Sequence, residues 1–407
     1  MKCRHCGNKL EYVFVDLGFA PPSNANLTKE ELLEPELYFP LKVRVCDSCW
    51  LVQTEDYTEA EKLFDKDYAY FSSTSSSWVE HAKRYSRKMI EELKLDVNSF
   101  VIEVASNDGY LLKNFINSKV PCLGVEPTDS TASEAEKIGI PVLREFFGSL
   151  LAGKLANEGR KADLIVGNNV YAHVPDINDF TLGLKRALKE NGTITLEFPH
   201  LMELIKYTQF DTIYHEHFSY LSLFSVRRIF ESVGLRVWNV EQLTTHGGSL
   251  RVYGCHFDDH RKTEKIVDDL VGQEKKIGMQ DLGVYLEFQH KANKVKNNLL
   301  SFLIKKKEEG KRVVAYGAAA KGNTILNYAG VKCDLIDFVC DAALAKQGKY
   351  MPGSHIPIVR PEVMFNEEID YILILPWNIA NEVKTTCEGS VDQRVKFVTA
   401  VPELNII

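Results

Sequence analysis

The chain has 407 residues, more than one hydrophobic core ordinarily holds, so two or three domains are expected. An apolar share of 45% and a charged share of 26% fit an ordinary folded protein, and a formal charge of −7 argues against a nucleic-acid partner, which needs a concentrated basic face. No apolar run approaches the roughly 20 residues that cross a bilayer, and Met-Lys-Cys-Arg-His-Cys is no basic-then-apolar leader. A cytoplasmic protein without a membrane partner is expected.

In chain order, Cys3-x-x-Cys6 and Cys46-x-x-Cys49 come first. Two such knuckles can set four thiolates at the corners of a tetrahedron, which suits a structural Zn²⁺ and leaves no position for a substrate. A redox role is the competitor, but no helix-forming sequence stands behind either pair to lower a thiol pKa. The other five cysteines lie mostly in or beside apolar runs and read as core. Tyr68, Tyr70 and Phe71 flank the Ser-rich run that ends at Ser77, a stretch too aromatic for a linker and expected to pass over a site. Trp78 to Leu95 then reads as a helix capped by Ser77.

Phe100 to Ala105 is a buried-strand run, Ser106-Asn107-Asp108-Gly109 a turn, Tyr110 to Asn117 a helix, and Cys122 to Val125 a second strand ending in Glu126. In this geometry a ligand lies over the turn, and the terminal acid accepts from ribose hydroxyls. Ala105 and Asn107 stand where a pyrophosphate-binding turn has glycines, and Asp108 would repel phosphate. A nucleoside with a positive charge near Glu103 or Asp108 matches: S-adenosylmethionine (SAM) fits and NAD does not. Asn168 and Asn169 end another strand on the same edge, as ligand contacts or as turn residues.

Tyr214-His215-Glu216-His217 follows the strand Gly192 to Phe198. Four proton-carrying side chains in a row belong in a cleft, as a catalytic group, a hydrogen-bonded corner or a metal site. If the segment is extended, Tyr214 and Glu216 face one way and His215 and His217 the other. Glu274 to Lys307 predicts a long helix or helix pair, and the lysines from Lys305 solvate its end. Arg312 to Gly317 is then a strand, and Lys321 near the start of the next helix makes an anion site fit for phosphate. Asp341 repeats the strand-then-acid pattern.

The order of these parts resembles the SAM-dependent 3-C-methyltransferases of nucleotide-linked 4-keto-deoxysugars, the type that builds tetronitrose. The resemblance rests on the paired knuckles, the aromatic-serine stretch around Tyr70, Glu103-x-x-Ser106-Asn107-Asp108-Gly109, Tyr214 to His217, and Tyr316-Gly317-Ala318-x-Ala320-Lys321-Gly322-Asn323. Ala105 and Ala319 depart from the family's usual glycine and proline. It implies an α/β fold with a zinc-binding segment over 1–66, a Rossmann-like SAM methyltransferase domain over 67–257, and a second Rossmann-like, nucleotide-sugar-binding domain over 258–407. It further implies SAM on Glu103, Ser106 to Gly109, Glu126, Asn168 and Asn169. His217 is the expected base for carbon 3, Glu216 or His215 orients it, and Tyr214 and Tyr70 bond the sugar. Tyr316, Gly317, Lys321, Asn323 and Asp341 would hold the nucleotide, typically a dTDP sugar, with Lys321 near the diphosphate; a monomer is expected. The rivals are an O- or N-methyltransferase and a non-catalytic scaffold.

Overall fold

The computed structural model describes residues 1–55 and 71–407, which three sheets organise. Tyr68 and Tyr70 lie outside the described residues. The first sheet is antiparallel: Tyr12–Ala20, Phe39–Val45 and Val52–Thr54, joined by Ser219–Tyr220 from far along the chain. Leu41, Val43 and Val45 alternate inward along the second strand, as a sheet with one buried face requires. Phe14 stacks on Phe288 at 4.3 Å and meets Tyr285 edge-on at 5.9 Å, so this small sheet shares its core with the interdomain helices.

The second sheet runs Leu235–Leu243, Ser249–His256, Leu188–Pro199, Ala162–Asn168, Val101–Val104, Cys122–Val125 and Val142–Leu143 in spatial order. Strand Ser249–His256 is antiparallel to both neighbours and the other six run in one direction. Val101–Val104 and Ala162–Asn168 lie side by side while their connections leave in opposite directions, and that switch point opens a crevice at the carboxyl edge. The helix before this sheet is Ser76–Leu93, and its cap is Ser75, not Ser77: the Ser75 hydroxyl accepts from Trp78 N at 3.3 Å, which draws Ser76 and Ser77 into the first turn.

Lys265–Lys276, Leu282–Leu286 and Phe288–Glu308 form the connection to the third sheet. After the last turn of the first helix, the stretch from Glu274 holds the helix pair Leu282–Leu286 and Phe288–Glu308, and Asp281 caps the former through Gly283 N at 2.7 Å. The third sheet orders as Ile358–Val359, Val339–Cys340, Val313–Tyr316, Tyr371–Ile374, Lys396–Thr399 and Asn405–Ile406, parallel except for the last strand. It repeats the doubly wound plan of the second. Among the described residues no helix is long and apolar enough to cross a membrane.

Candidate active site

The sulfur atoms of Cys3, Cys6, Cys46 and Cys49 all lie within 4.8 Å of one another, with Cys3–Cys49 and Cys6–Cys46 at 3.5 Å. Zinc–sulfur bonds of about 2.3 Å set tetrahedral edges of roughly 3.8 Å, so the donor set fits Zn²⁺ with every position filled by protein. The clip is structural, and it fastens a segment too small to fold on its own core.

The turn after Val101–Val104 is strained: Ala105, Asn107 and Gly109 have φ of 56°, 51° and 78°. Gly109 is required there, because a Cβ would run into Ile140. The Glu126 carboxylate holds the turn by accepting from Asn107 N and Thr128 N, both at 2.9 Å. From above, Ser72 N donates to Asn107 Oδ1 at 2.9 Å and Ser73 N to Asp108 Oδ2 at 3.0 Å, so the serine-rich stretch does cross this turn. Glu103 Oε2, Ser106 Oγ, Asp108 Oδ1, Asn169 Oδ1 and both polar atoms of Asn168 are buried without partners among the described residues. Burial, then the Glu126 and Asp108 charges, push the Glu103 carboxyl well above its ordinary range. Unsatisfied acceptors beside crowded carboxyls fit the cationic, amine-bearing end of SAM. Trp78 and Tyr110, stacked at 6.1 Å, wall the same crevice.

The tetrad is a tight turn and not an extended segment. His217 N donates to Tyr214 O at 3.0 Å, which closes the chain and brings the two rings to 4.0 Å instead of to opposite faces. His217 Nδ1 donates to the Thr212 carbonyl at 2.9 Å; a carbonyl only accepts, so the neutral ring keeps its lone pair on Nε2. Orientation of His217 therefore comes from backbone, not from Glu216 or His215. The His215 ring turns to the first sheet, with Nε2 on Phe39 O at 3.3 Å and Pro40 O at 3.2 Å. Glu216 Oε1 accepts from Asn24 Nδ2 at 3.1 Å, and burial raises its carboxyl pKa.

His173 escaped the sequence reading, being an isolated histidine in a short turn after Asn169. Its Nδ1 donates to Glu216 O at 2.7 Å and its ring centroid lies 4.6 Å from that of His217. Burial pushes its pKa down to about 4. Burial first, then His173, hold His217 well below its ordinary 6.5, with His246 and Lys321 adding smaller repulsions. All these imidazoles stay neutral near pH 7.

Every segment of the chain grips this loop. Thr54 Oγ1 donates to His217 O, Thr324 Oγ1 to Ile213 O at 2.8 Å, and Trp377 Nε1 to Asp211 Oδ2 at 2.7 Å. Lys321 Nζ donates to Asn378 Oδ1 at 2.7 Å and sits 4.8 Å over the Trp377 ring, while Asn323 Nδ2 is bonded to Ser23 O. Asp341 Oδ2 accepts from Ala318 N at 2.7 Å. Tyr316 is half-buried. A Cβ on Gly317, where φ is 91°, would strike Pro376. Asn24, Asp211 and Trp377 had no motif to announce them.

A doubly wound sheet with this crevice, its unsatisfied acceptors and an adjoining histidine turn define a SAM-dependent methyltransferase. Models of a zinc binding domain, a methyltransferase domain and a C-methyltransferase C-terminal domain match residues 3–64, 78–240 and 244–402. The chain is 32% identical over 406 residues to the C-methyltransferase NovU of Streptomyces niveus, covering 100% of this chain and 96% of that one. It belongs to the C-methyltransferase family. Solved structures that resemble part of it include a S-adenosylmethionine-dependent methyltransferase of Clostridium acetobutylicum (11% identity, 44% of this chain and 92% of that one, TM-score 0.35). Another is the magnesium protoporphyrin IX methyltransferase of Synechocystis with bound SAH (12%, 44% and 83%, TM-score 0.35).

Proposed function

We propose that the enzyme methylates carbon 3 of a nucleoside diphosphate 4-keto-deoxysugar, dTDP-linked, with His217 as base. The observation that carries this reading is the Thr212 carbonyl on His217 Nδ1, which leaves Nε2 as a proton acceptor beside the carboxyl-edge crevice. Carbon needs such a base more than oxygen or nitrogen does, since it must first be made nucleophilic, and only a neighbouring carbonyl makes its proton acidic enough.

SAM, when bound, supplies an electrophilic methyl group. His217 Nε2 takes the carbon 3 proton, and the released electron pair forms the C3–C4 double bond while charge moves onto the carbon 4 oxygen. With SAM bound, that pair would accept the methyl from sulfur, which keeps the bonding electrons, so that the ketone returns, and His217 gives its proton to solvent. Tyr214, 4.0 Å from the His217 ring, is suited to bond a sugar oxygen. In this reading the C-terminal domain binds the nucleotide, and that remote grip positions the small reacting sugar.

The test is mass spectrometry of the protein with SAM and dTDP-, CDP- and GDP-4-keto-deoxysugars in D₂O, beside His217→Ala. One methyl gained on carbon, lost together with carbon 3 deuterium exchange in the variant, is expected. Methyl gain on oxygen or nitrogen, or undiminished exchange in His217→Ala, would sink the proposal.

A further inference from the structure

The proposed steps leave unused the turn Thr245–Gly247, between the two antiparallel strands at the sheet's end. His246, Gly247 and Gly248 have φ of 53°, 87° and 116°: three successive left-handed residues, the first bearing an imidazole. A side chain persists in that region only where its surroundings over-determine it, and such residues gather at functional sites. Here both α/β domains clamp the turn. The Trp377 ring would collide with any Cβ on Gly247, and Gln209 Nε2 donates to Gly247 O at 2.8 Å. Thr245 Oγ1 donates to Glu197 Oε1 at 3.0 Å, and Glu197 is fixed in turn by Arg251 Nη2 at 2.5 Å and His81 Nε2 at 2.9 Å.

What this framework presents is one ring. It meets Trp78 edge-on, with centroids 5.3 Å apart, and Asn169 Nδ2 donates to its Nε2 at 3.1 Å. An imidazole that accepts at Nε2 carries its proton at Nδ1, so His246 is a neutral donor. Burial, then the Lys321 charge, push its pKa down to about 4, and it is near enough to His217 to disfavour protonation there. Asn169 directly follows the strand Ala162–Asn168, whose carboxyl edge borders the cofactor crevice. His246 thus stands at the seam of cofactor edge, base and C-terminal domain. The carbon to be methylated must lie between the base and the methyl donor, and its ketone oxygen is one bond further on.

We infer that His246 donates its Nδ1–H to the substrate's ketone oxygen and stabilises the charge that collects there as His217 withdraws the proton. This rests on the enolate route proposed above. A neutral imidazole suits the task, since it is preorganised by Asn169 and does not give up a whole proton.

Exchange of the carbon 3 proton in D₂O, with S-adenosylhomocysteine in place of SAM, reads enolate formation without methyl transfer. His246→Asn withdraws the ring while suiting the backbone, because asparagine is among the residues that best tolerate positive φ. About 100-fold slower exchange is expected, with SAM affinity by calorimetry and melting temperature close to native. Exchange at the native rate would overturn the inference, as would slowing that merely tracks a loss of SAM affinity or of folding. Absence of exchange in the native chain would remove the enolate route itself, and this role with it.

Discussion

The two doubly wound sheets use the same local device and leave opposite remainders. In each, the acid ending the second strand accepts from the turn after the first: Glu126 Oε2 from Asn107 N at 2.9 Å, Asp341 Oδ2 from Ala318 N at 2.7 Å. Around the central turn, Glu103, Ser106, Asp108 and Asn168 keep buried polar atoms without partners among the described residues. The C-terminal turn is largely satisfied from within: Asp341 Oδ1 accepts from Ala343 N at 2.8 Å and Lys346 Nζ donates to Ala318 O at 2.7 Å. Its other candidates face the domain boundary, Asn323 toward Ser23 and Lys321 toward Asn378 and Trp377. An unmade buried hydrogen bond costs about 1–3 kcal/mol, so such atoms collect where a ligand supplies the partners. In the proposed reading one topology thus yields a cofactor cradle in one domain and a clamp on the histidine turn in the other.

The largest expected effect frees the histidine turn from the first sheet while sparing the cradle. Stripping zinc with a chelator should loosen the first sheet, and with it the Asn24 bond to Glu216 and the Thr54 bond to the His217 carbonyl. Misplacement of the base by an ångström is worth about 100-fold in rate, and SAM affinity measured by calorimetry should stay close to native. An apo protein that methylates normally, or that loses SAM binding in parallel, would show the two regions are not separable in this way.

The cradle is probed next by Glu103→Gln. Burial holds the Glu103 carboxyl well above its ordinary 4.5, so at a pH between 4.5 and the raised pKa the ligand-free protein should carry a proton there that a cationic ligand would displace. SAM binding should release that proton and tighten as pH rises toward the raised pKa. The glutamine variant should bind SAM roughly tenfold more weakly or worse, since hydrogen bonds to charged groups are worth about 1.5–3 kcal/mol, and with no proton released. Calorimetry in two buffers of different ionisation enthalpy reads it; equal heats for the native protein would refute the arrangement.

Lys321→Met separates a diphosphate ligand from an electrostatic neighbour of the base. In the proposed route His217 acts as a neutral base, and it is held well below 6.5, so the acid limb of kcat/KM should lie below that pH in the native enzyme. The Lys321 charge contributes to the lowering for both His217 and His246; its removal raises their pKa values and moves the limb to higher pH. A higher KM with an unmoved limb would instead mean that the lysine acts on the nucleotide alone.

What was legible in the sequence was local. Two CxxC pairs and a strand, turn, strand and acid are each complete within a short stretch, and the zinc clip and SAM-type fold follow from them. The histidine turn is tertiary. Whether Tyr214–His217 is extended or turned was not readable, because the turn closed by His217 N on Tyr214 O is held by Thr54, Asn24 and Thr324 arriving from elsewhere. The group that orients His217 is a backbone carbonyl, which any residue at position 212 would supply, so no pattern could mark it. His173 and Trp377 were ordinary residues until the fold set them beside the tetrad. Only His246, ahead of two glycines, carried a readable signal: a histidine forced into backbone space that glycine normally fills.

The smallest effect tests the two turns against each other at the positions where both depart from the family they resemble. Ala105 holds φ of 56°, a region that costs an alanine about 1–2 kcal/mol. Ala105→Gly removes that strain but frees the unfolded chain, which takes back about 0.4–1 kcal/mol. The net gain lies between about 0 and 1.6 kcal/mol, a small rise in melting temperature. Ala319 sits at φ of −90° and its N–H donates to Gly317 O at 2.8 Å. Proline there forfeits that bond and must bend toward φ of about −65°, so Ala319→Pro should leave the melting temperature unchanged or lower it. Opposite signs would follow from one turn being strained around a cofactor and the other relaxed into its own hydrogen bonds. If Ala319→Pro stabilised the protein and Ala105→Gly did not, the strain would lie in the C-terminal turn, and the contrast between cradle and clamp would have to be reversed.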